Sequence, residues 1–300
     1  MRPRADAVEA LVAGAGGHVR DPAGPDAPAY ATTGRRGPPG RIWRAVWPKL
    51  AAATIAVGVW QAVVLAELRP RYLLPGPLPV FGRLVEGVTG DMALFSATGI
   101  TLARAGAGFS IAVIVGSVVG LAVATVPLLR VAVGSLVTGI QTMPSIAWFP
   151  FAILLFDRSE RAILFVVVLG AAPAIANGLL HGIDQTPELL HRAGRVLGAS
   201  GIDRYRLLVL PAALPAFVGG LKQGWAFAWR SLMAGELLVV VATRHSLGAR
   251  LQFARELGDA HRLLATMIVI LLVGVLVDTL VFARLDAAVA RRWGLVGDRA

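Results

Sequence analysis

The chain has 300 residues, of which 56% are hydrophobic and 16% charged, with a mean hydropathy of +0.69, and this composition excludes an ordinary soluble domain. It contains no cysteine, which excludes disulfides and thiolate metal sites. The formal net charge is +11, but the basic residues lie mostly between apolar runs. This placement favours orientation in a lipid bilayer and argues against binding of nucleic acid.

The N-terminal residues 1–40 are rich in Ala, Gly, Pro and Arg and lack an apolar run. This composition predicts a disordered cytoplasmic tail. The first long apolar stretch begins only after Arg44, which argues against a secretory signal. We expect residues 41–90 to hold the first membrane helix and a proline-rich outer connector, residues 91–293 the membrane core, and residues 294–300 a C-terminal tail.

Six apolar segments are each long enough to cross a bilayer, which takes about 20 residues. They run over residues 45–66, 102–126, 129–156, 161–183, 211–241 and 262–285. Pro144 and Pro150 interrupt the third, which predicts a helix and a half. In the outer connector, prolines argue against a helix before Val80, and residues 80–90 predict a short surface helix. The fold class is therefore all-α, a polytopic membrane protein with about six transmembrane helices.

The distribution of Lys and Arg predicts which side each connector faces. With the N-terminus inside, the inner segments carry 17 of these residues and the outer segments carry 10. Because positive charge accumulates on the cytoplasmic side, this bias predicts that both termini are cytoplasmic and that the chain is a multi-pass protein of the cell membrane.

A long polar segment separates the fourth and fifth spans. Thr186 is a predicted N-cap, and Pro187 suits the first position of a helix. Gly198 and Gly201 predict a break, followed by a second short helix and by Pro211, which opens the next span. On the residues alone, two interpretations stay open: an amphipathic hairpin resting on the membrane surface, or a docking surface for another protein.

The register of this segment resembles the cytoplasmic coupling motif of ABC-importer permeases. That motif runs Glu-Ala-Ala, three residues, Gly, nine residues, Ile, one residue, Leu-Pro. Ala193, Gly198, Leu210 and Pro211 match, and Leu208 stands at the Ile position.

Arg192 stands where the family usually has Glu, and Gly194 stands at the second Ala. The resemblance extends over roughly residues 70–293. Within the family, this stretch is similar to the branch that transports nitrate, sulfonates and taurine. The pieces that carry it are Leu74–Val80, Arg104–Phe109, Met143–Pro150, Leu214–Gly220, Ala234–Glu236, Ser246–Gly248 and Asp278–Trp293.

The resemblance implies a type I ABC importer permease fold. Two permease subunits, expected as a homodimer, would form the pore for a small anionic substrate such as a sulfonate, taurine or nitrate. A separate cytoplasmic ATPase would receive the coupling helix, and an extracytoplasmic substrate-binding protein would dock on the outer face. The residues implied in ATPase coupling are Glu188, Arg192, Ala193, Gly194, Gly198, Leu210 and Pro211.

The sequence offers no catalytic machinery of its own. A phosphate-binding loop needs Gly-Lys-Ser/Thr, but Lys49 follows Pro48 and Lys222 follows Leu221. The histidines lack metal-ligand spacing, so no metal, cofactor or catalytic residue is predicted, and ATP hydrolysis is expected in a partner chain. The alternative is an ion-coupled secondary transporter, which needs mid-membrane carboxylates and inverted repeats.

Four residues within the spans are candidates for the translocation pathway, since polar and helix-breaking residues at membrane depth are costly unless they serve packing or function. They are Gln141, Pro144, Arg230 and Glu236. For Arg230 a structural ion pair competes with anion attraction; the partner would be Asp278, or Glu236 of a neighbouring chain. Lys222 is expected to reach the interface.

The pair Gly116 and Gly120 has the spacing that lets membrane helices approach closely. It indicates either a contact between two subunits or packing within the chain.

Overall fold

The computed structural model describes residues 38–239, 241 and 245–293. Most of the predicted N-terminal tail and all of the predicted C-terminal tail lie outside these residues. Within the described part of the chain, the regular secondary structure is entirely helical, which confirms the all-α prediction. The chain divides into two compact units, residues 1–56 and 57–300.

The described residues form ten α-helices, numbered in chain order. They are α1 (Pro38–Leu65), α2 (Pro77–Gly90), α3 (Met92–Thr125), α4 (Pro127–Thr142), α5 (Phe149–Phe156), α6 (Glu160–Asp184), α7 (Glu188–Val196), α8 (Gly201–Leu238), α9 (Leu247–Glu256) and α10 (Ala260–Arg292). A 3-10 turn over Ser145–Trp148 precedes α5, and π-helical segments lie within α8 (Tyr205–Val209) and α10 (Asp278–Phe282).

Five of the described helices are long and apolar enough to cross a membrane: α1, α3, α6, α8 and α10. Helices α4 and α5 pass the same test only as a pair, and they are bent by 103° at their junction. The predicted break near Pro144 is therefore present, and about six spans are confirmed. Helix α3 starts ten residues before the predicted position 102, because the Asp91 side chain caps it by accepting from the Ala93 N–H at 2.9 Å.

The surface helix α2 begins at Pro77, so the prediction that prolines delay it to Val80 was wrong. Proline is tolerated in a first turn because the amide it lacks would have no intrahelical partner there. Leu78, Val85 and Val88 are exposed along one side of α2, whereas Val80 on the other side is fully buried. This amphipathic pattern is typical of a helix lying at a membrane surface.

Small residues set the packing of the central helices. A Cβ atom added at Gly116 would lie 2.6 Å from the Ala172 carbonyl oxygen, and one at Gly120 would lie 2.8 Å from that of Ala176. Both contacts join α3 to α6 of the same chain, which favours the intrachain packing interpretation of this pair. Gly178 and Gly220 bring α6 and α8 equally close. These glycines hold α3, α6 and α8 in one tight bundle.

Candidate functional site

The segment that joins α6 to α8 departs from prediction at its first turn. Thr186 is not the N-cap of α7: its hydroxyl donates to the Gly182 carbonyl at 3.3 Å, so it belongs to the end of α6. Pro187 occupies the N-cap position, with extended backbone angles and no side-chain cap. The fixed φ of proline sets this geometry, and Glu188 in the first turn favours the positive helix end.

Gly198 lies in the break between α7 and α8, Gly201 begins α8, and both turn the chain there, as predicted. Their φ angles are +80° and +54°, in the left-handed region that glycine adopts without strain. A Cβ atom at either position would meet no neighbour within 4 Å. The backbone turn, and not crowding, therefore requires glycine at these two positions.

The predicted second short helix is not a separate element. Gly201–Arg204 continues through the π-helical segment Tyr205–Val209 into Leu210–Leu238. Pro211 therefore lies inside a continuous helix, where the wider π turn accommodates a residue that donates no backbone hydrogen bond. The Trp293 indole Nε1–H donates to the Pro211 carbonyl at 3.0 Å and ties the end of α10 to this point.

Packing explains the glycine at position 194. Gly194 is buried, and an added Cβ atom would lie 2.3 Å from Cδ1 of Leu208. A residue as large as alanine does not fit here unless Leu208 moves. The departure at position 194 is therefore matched to the leucine fourteen residues later, whose side chain packs against the bare backbone of Gly194 and joins α7 to α8.

The outer face of this coupling region, defined as residues 186–211, is exposed. Val196 is 87% exposed, and Leu189 and Leu197 are similarly open. The Glu188 carboxylate accepts from Arg192 Nε at 3.4 Å and Arg195 Nη2 at 3.5 Å. The hydrogen bond from Arg192 lowers the pKa of Glu188 below its ordinary value. Such exposed pairs stabilise little, so this face stays available.

A polar cavity of about 580 Å³ lies between α4, α6 and α8. Its polar lining includes Thr138, Gln141, Asn177, His181 and Gln223. The Asn177 amide donates to Gln141 Oε1 at 2.6 Å and joins α6 to α4. Sequence reasoning found Gln141 but missed the residues that accompany it, because their membrane depth depends on how three helices pack.

Arg230 lies on α8 one helical turn beyond Phe227, which lines this cavity, and it lines a separate apolar pocket with Trp229 and with residues of α9 and α10. Its guanidinium lies 4.7 Å from the Phe227 ring centroid, and its Nε donates to the Ala226 carbonyl at 3.1 Å. The predicted pairing with Asp278 was wrong, because Asp278 lies 3.6 Å from Lys222. Lys222 also lies 3.8 Å from Asp286, so it is paired with two carboxylates of α10.

Glu236 faces the other way, into the bundle. Its side chain is fully buried, and Oε1 accepts from Arg104 Nη1 at 2.9 Å. The Arg104 Nε–H donates to Glu160 Oε2 at 2.7 Å. The hydroxyl of Thr101 donates to Glu236 Oε2 at 3.0 Å, and the Gly248 N–H donates to the same oxygen at 3.0 Å. This ionic cluster joins α3, α6, α8 and the start of α9.

Sequence reasoning missed Arg104 and Glu160 as partners of Glu236. It placed Arg104 near an outer helix end, whereas α3 begins at Met92 and carries this arginine inside the bundle, 5% exposed. An arginine within an apolar, glycine-rich run needs a buried partner, and this need is the sequence signal that pointed to an acidic residue nearby.

Glu236 remains only a proposed pathway residue. Pro144 is exposed at the bend between α4 and α5.

Five helices long enough to span a membrane, the bent pair α4 and α5, and a polar cavity between three of the described helices are typical of a multi-pass membrane transport protein. Residues 112–293 match the family described as binding-protein-dependent transport system inner membrane component, and the chain belongs to this family. Membership confirms the resemblance given by the coupling motif.

Curated relatives support the same assignment. The chain is 28% identical over 247 residues to the taurine transport system permease protein of Escherichia coli (strain K12), covering 79% of this chain and 88% of that protein. It is 26% identical over 246 residues to the nitrate import permease protein of Leptolyngbya laminosa, covering 81% and 87%. The chain is therefore similar over most of its length to permeases of this branch.

The fold resembles a chain of the MetNI methionine ABC transporter solved in an inward-facing conformation, with a TM-score of 0.57 at 21% identity. The match covers 66% of this chain and 96% of that one. This confirms the predicted type I importer permease fold. The secondary-transporter alternative is not favoured, because neither the family nor the fold belongs to that class.

Proposed function

We propose that this permease is driven by a separate cytoplasmic ATPase that receives the coupling region, and that it carries a small anion such as a sulfonate, taurine, nitrate or bicarbonate. The observation that carries the proposal is the geometry of the coupling region. An exposed apolar and basic face stands beside a glycine turn at Gly198, and it is fused to a membrane span through Leu210 and Pro211.

The fusion to α8 supplies a path for force. Gly201–Leu238 is one continuous helix, so a displacement of its first turns is transmitted along a rigid element into the membrane. The Gly194–Leu208 contact joins α7 to the same helix. ATP-driven movement of a partner seated on Glu188, Arg192 and Ala193 would therefore move α8 and change access to the cavity that α8 lines.

The cavity between α4, α6 and α8 is the proposed translocation pathway within this subunit. Amides and hydroxyls such as Gln141, Asn177 and Thr138 offer neutral hydrogen bonds, which bind an anion weakly enough to release it. Arg230 adds one positive charge on α8, one helical turn beyond this cavity. Glu236 supports this pathway from behind, by holding the bundle together with Arg104.

The opposite end of the bundle, where α2 and α9 lie, would then face the extracytoplasmic binding protein, with both termini in the cytoplasm. One subunit supplies a cavity open on one side, so a second permease subunit, expected to be identical, would complete the pore. The excess of Lys and Arg in the segments on the coupling side supports this orientation.

The test is reconstitution of the chain in liposomes with and without its ATPase and binding protein. We expect active uptake only with all components, and uptake against a gradient by the chain alone would refute the proposal. Replacing Gly198 with valine should lower uptake more than it lowers ATP hydrolysis, because it strains the turn. The matched control is Gly139→Ala, at a helical glycine where an added Cβ meets no neighbour.

The role of Arg230 has its own test. Arg230→Gln should reduce uptake of an anionic substrate several-fold while protein abundance in the membrane stays constant, because the side chain is exposed one helical turn beyond the cavity and makes only a local hydrogen bond. A parallel fall in abundance would show that Arg230 is structural. Uptake and immunoblot are measured on the same vesicles, with Arg69→Gln, an exposed arginine outside the coupling region and the cavity, as the control for general charge loss.

A further inference from the structure

An amphipathic cavity of about 550 Å³ lies at the end of the bundle opposite the coupling region. Helix α2, the start of α3, α9 and the first turns of α10 enclose it. One side is ionic and carries Arg250, Arg262, Asp91 and Asp259, and the other side is apolar and carries residues such as Leu94 and Val269. A pocket of this size with two chemically distinct sides fits a ligand with a charged part and an apolar part.

The ionic side has unused guanidinium donors. Arg250 Nη2 donates to Asp91 Oδ2 at 2.6 Å, but its buried Nε–H has no hydrogen-bond partner among the described residues. Each cap uses one carboxylate oxygen: Asp91 Oδ1 accepts from the Ala93 N–H, and Asp259 Oδ1 accepts from the Arg262 N–H at 3.0 Å, which leaves the second Asp259 oxygen for a ligand. The Arg262 guanidinium makes no ion pair within the described part of the chain. Donors of this kind favour an oxyanion.

The charges of the cavity nevertheless balance. It is lined by three arginines and three acidic residues: Arg83, Arg250, Arg262, Glu86, Asp91 and Asp259. Arg83 and Glu86 pair with each other at 3.1 Å, so a simple anion would meet the carboxylates of Asp91 and Asp259 as well as the guanidinium groups of Arg250 and Arg262. A ligand that carries one negative and one positive group satisfies both sets, so the cavity favours a zwitterion.

The cavity lies at the depth of lipid headgroups. Helices α3 and α10 have 34 and 33 residues. At 1.5 Å per residue each is roughly 50 Å long, which exceeds the ~30 Å hydrocarbon core of a bilayer. Each helix therefore extends past the hydrocarbon, and because charged side chains are costly inside it, the ends at Asp91 and Asp259 are the parts that belong at the headgroups. The exposed apolar side of α2, with Leu78 83% exposed, places a membrane surface beside the same cavity.

We infer that this cavity binds the headgroup of a zwitterionic phospholipid whose amine can donate hydrogen bonds, such as phosphatidylethanolamine. The phosphodiester is bound by Arg250 and Arg262, and the ammonium group is received by the carboxylates of Asp91 and Asp259. The upper part of an acyl chain lies against Leu94 and Val269. The bound lipid tethers α2 to α9 and α10 at the membrane surface.

The experiment is native mass spectrometry of the full chain purified in detergent and mixed with single lipids. We expect the chain to retain phosphatidylethanolamine severalfold better than phosphatidylcholine, whose quaternary amine donates no hydrogen bond. Arg262→Gln, an exposed change that does not disturb the bundle, should reduce retention about tenfold, the value of one charge-assisted contact. Arg206→Gln at the coupling end is the matched control and should retain the lipid unchanged.

Three results would overturn the inference. Equal retention of phosphatidylcholine would remove the role of the ammonium donor. Preferential retention of phosphatidylglycerol would show an anion site and not a zwitterion site. Displacement of phosphatidylethanolamine by excess inorganic phosphate would show that a free oxyanion, and not a lipid, occupies the arginines.

Discussion

The two ends of this permease use charged residues in opposite ways. In the ionic cluster, Arg104 and Glu236 are buried, close and bonded from several sides, and they hold three spans and α9 together. In the coupling region, Glu188, Arg192 and Arg195 are exposed and joined by long contacts. Buried charge therefore fixes the architecture at one end, and exposed charge stays free for a partner at the other.

The largest effect should follow removal of one partner from the ionic cluster. Arg104→Met leaves the fully buried Glu236 carboxylate without its cation, which costs about 3–5 kcal/mol. We expect a large fall in the midpoint of thermal unfolding and little folded protein in the membrane. The double variant Arg104→Met with Glu236→Gln should recover much of this loss, and a double variant as unstable as the single one would contradict the assignment of cost to the unpaired charge.

An intermediate effect is expected where α7 contacts α8. Gly194→Ala forces a Cβ atom against the end of the Leu208 side chain, which must shift, and the altered α7–α8 contact should reduce coupling of ATP hydrolysis to uptake. Leu208→Ala opens the space that the new methyl group needs. The double variant should therefore couple better than Gly194→Ala alone, and additive losses in a double-mutant cycle would contradict the packing explanation.

A smaller effect is expected at the glycine turns. Gly201→Ala places alanine at a φ of +54° with no neighbour near its Cβ, so only backbone strain of about 1–2 kcal/mol is added. Thermal unfolding should shift by a few degrees, while the exposed face of α7 keeps its composition. The same change at Gly139, in open helical surface, should not destabilise the protein.

The smallest effect concerns pH. The hydrogen bond from Arg250 lowers the pKa of Asp91 below its ordinary value. A lowered folded-state pKa means that the stabilisation is present above the unfolded pKa, about 3.9, and is lost as pH falls through the folded-state pKa. Asp91→Asn keeps the cap but should lack this acid-dependent loss, so its unfolding midpoint should vary less than that of the native chain at pH below about 4.

The sequence predicted features that local rules determine. Apolar length located the spans, proline located the break near Pro144, and the register from Ala193 to Pro211 identified the coupling region. It failed where tertiary packing decides. The Arg104 partners lie 56 and 132 residues away along the chain, and the fused helix at Pro211 depends on a π-helical segment that no local pattern indicates.

The two departures from the motif also differ in whether tertiary packing explains them. Gly194 is explained only when Leu208 is seen against it, because the contact depends on the angle of the Gly198 turn. Arg192 needs no such explanation, since its side chain is exposed and bonded only to Glu188. Its effect is expected in the partner ATPase and not in this chain.

The central claim is that the coupling region, and not the opposite end of the bundle, contacts the ATPase. The chain has no native cysteine, so single cysteines introduced at Val196 and Leu78, which are similarly exposed, give a clean comparison by cross-linking. We predict that Val196→Cys cross-links to cysteines placed in the ATPase surface that faces the membrane, and that Leu78→Cys does not. Cross-links from Leu78→Cys alone, or from both positions equally, would contradict the account.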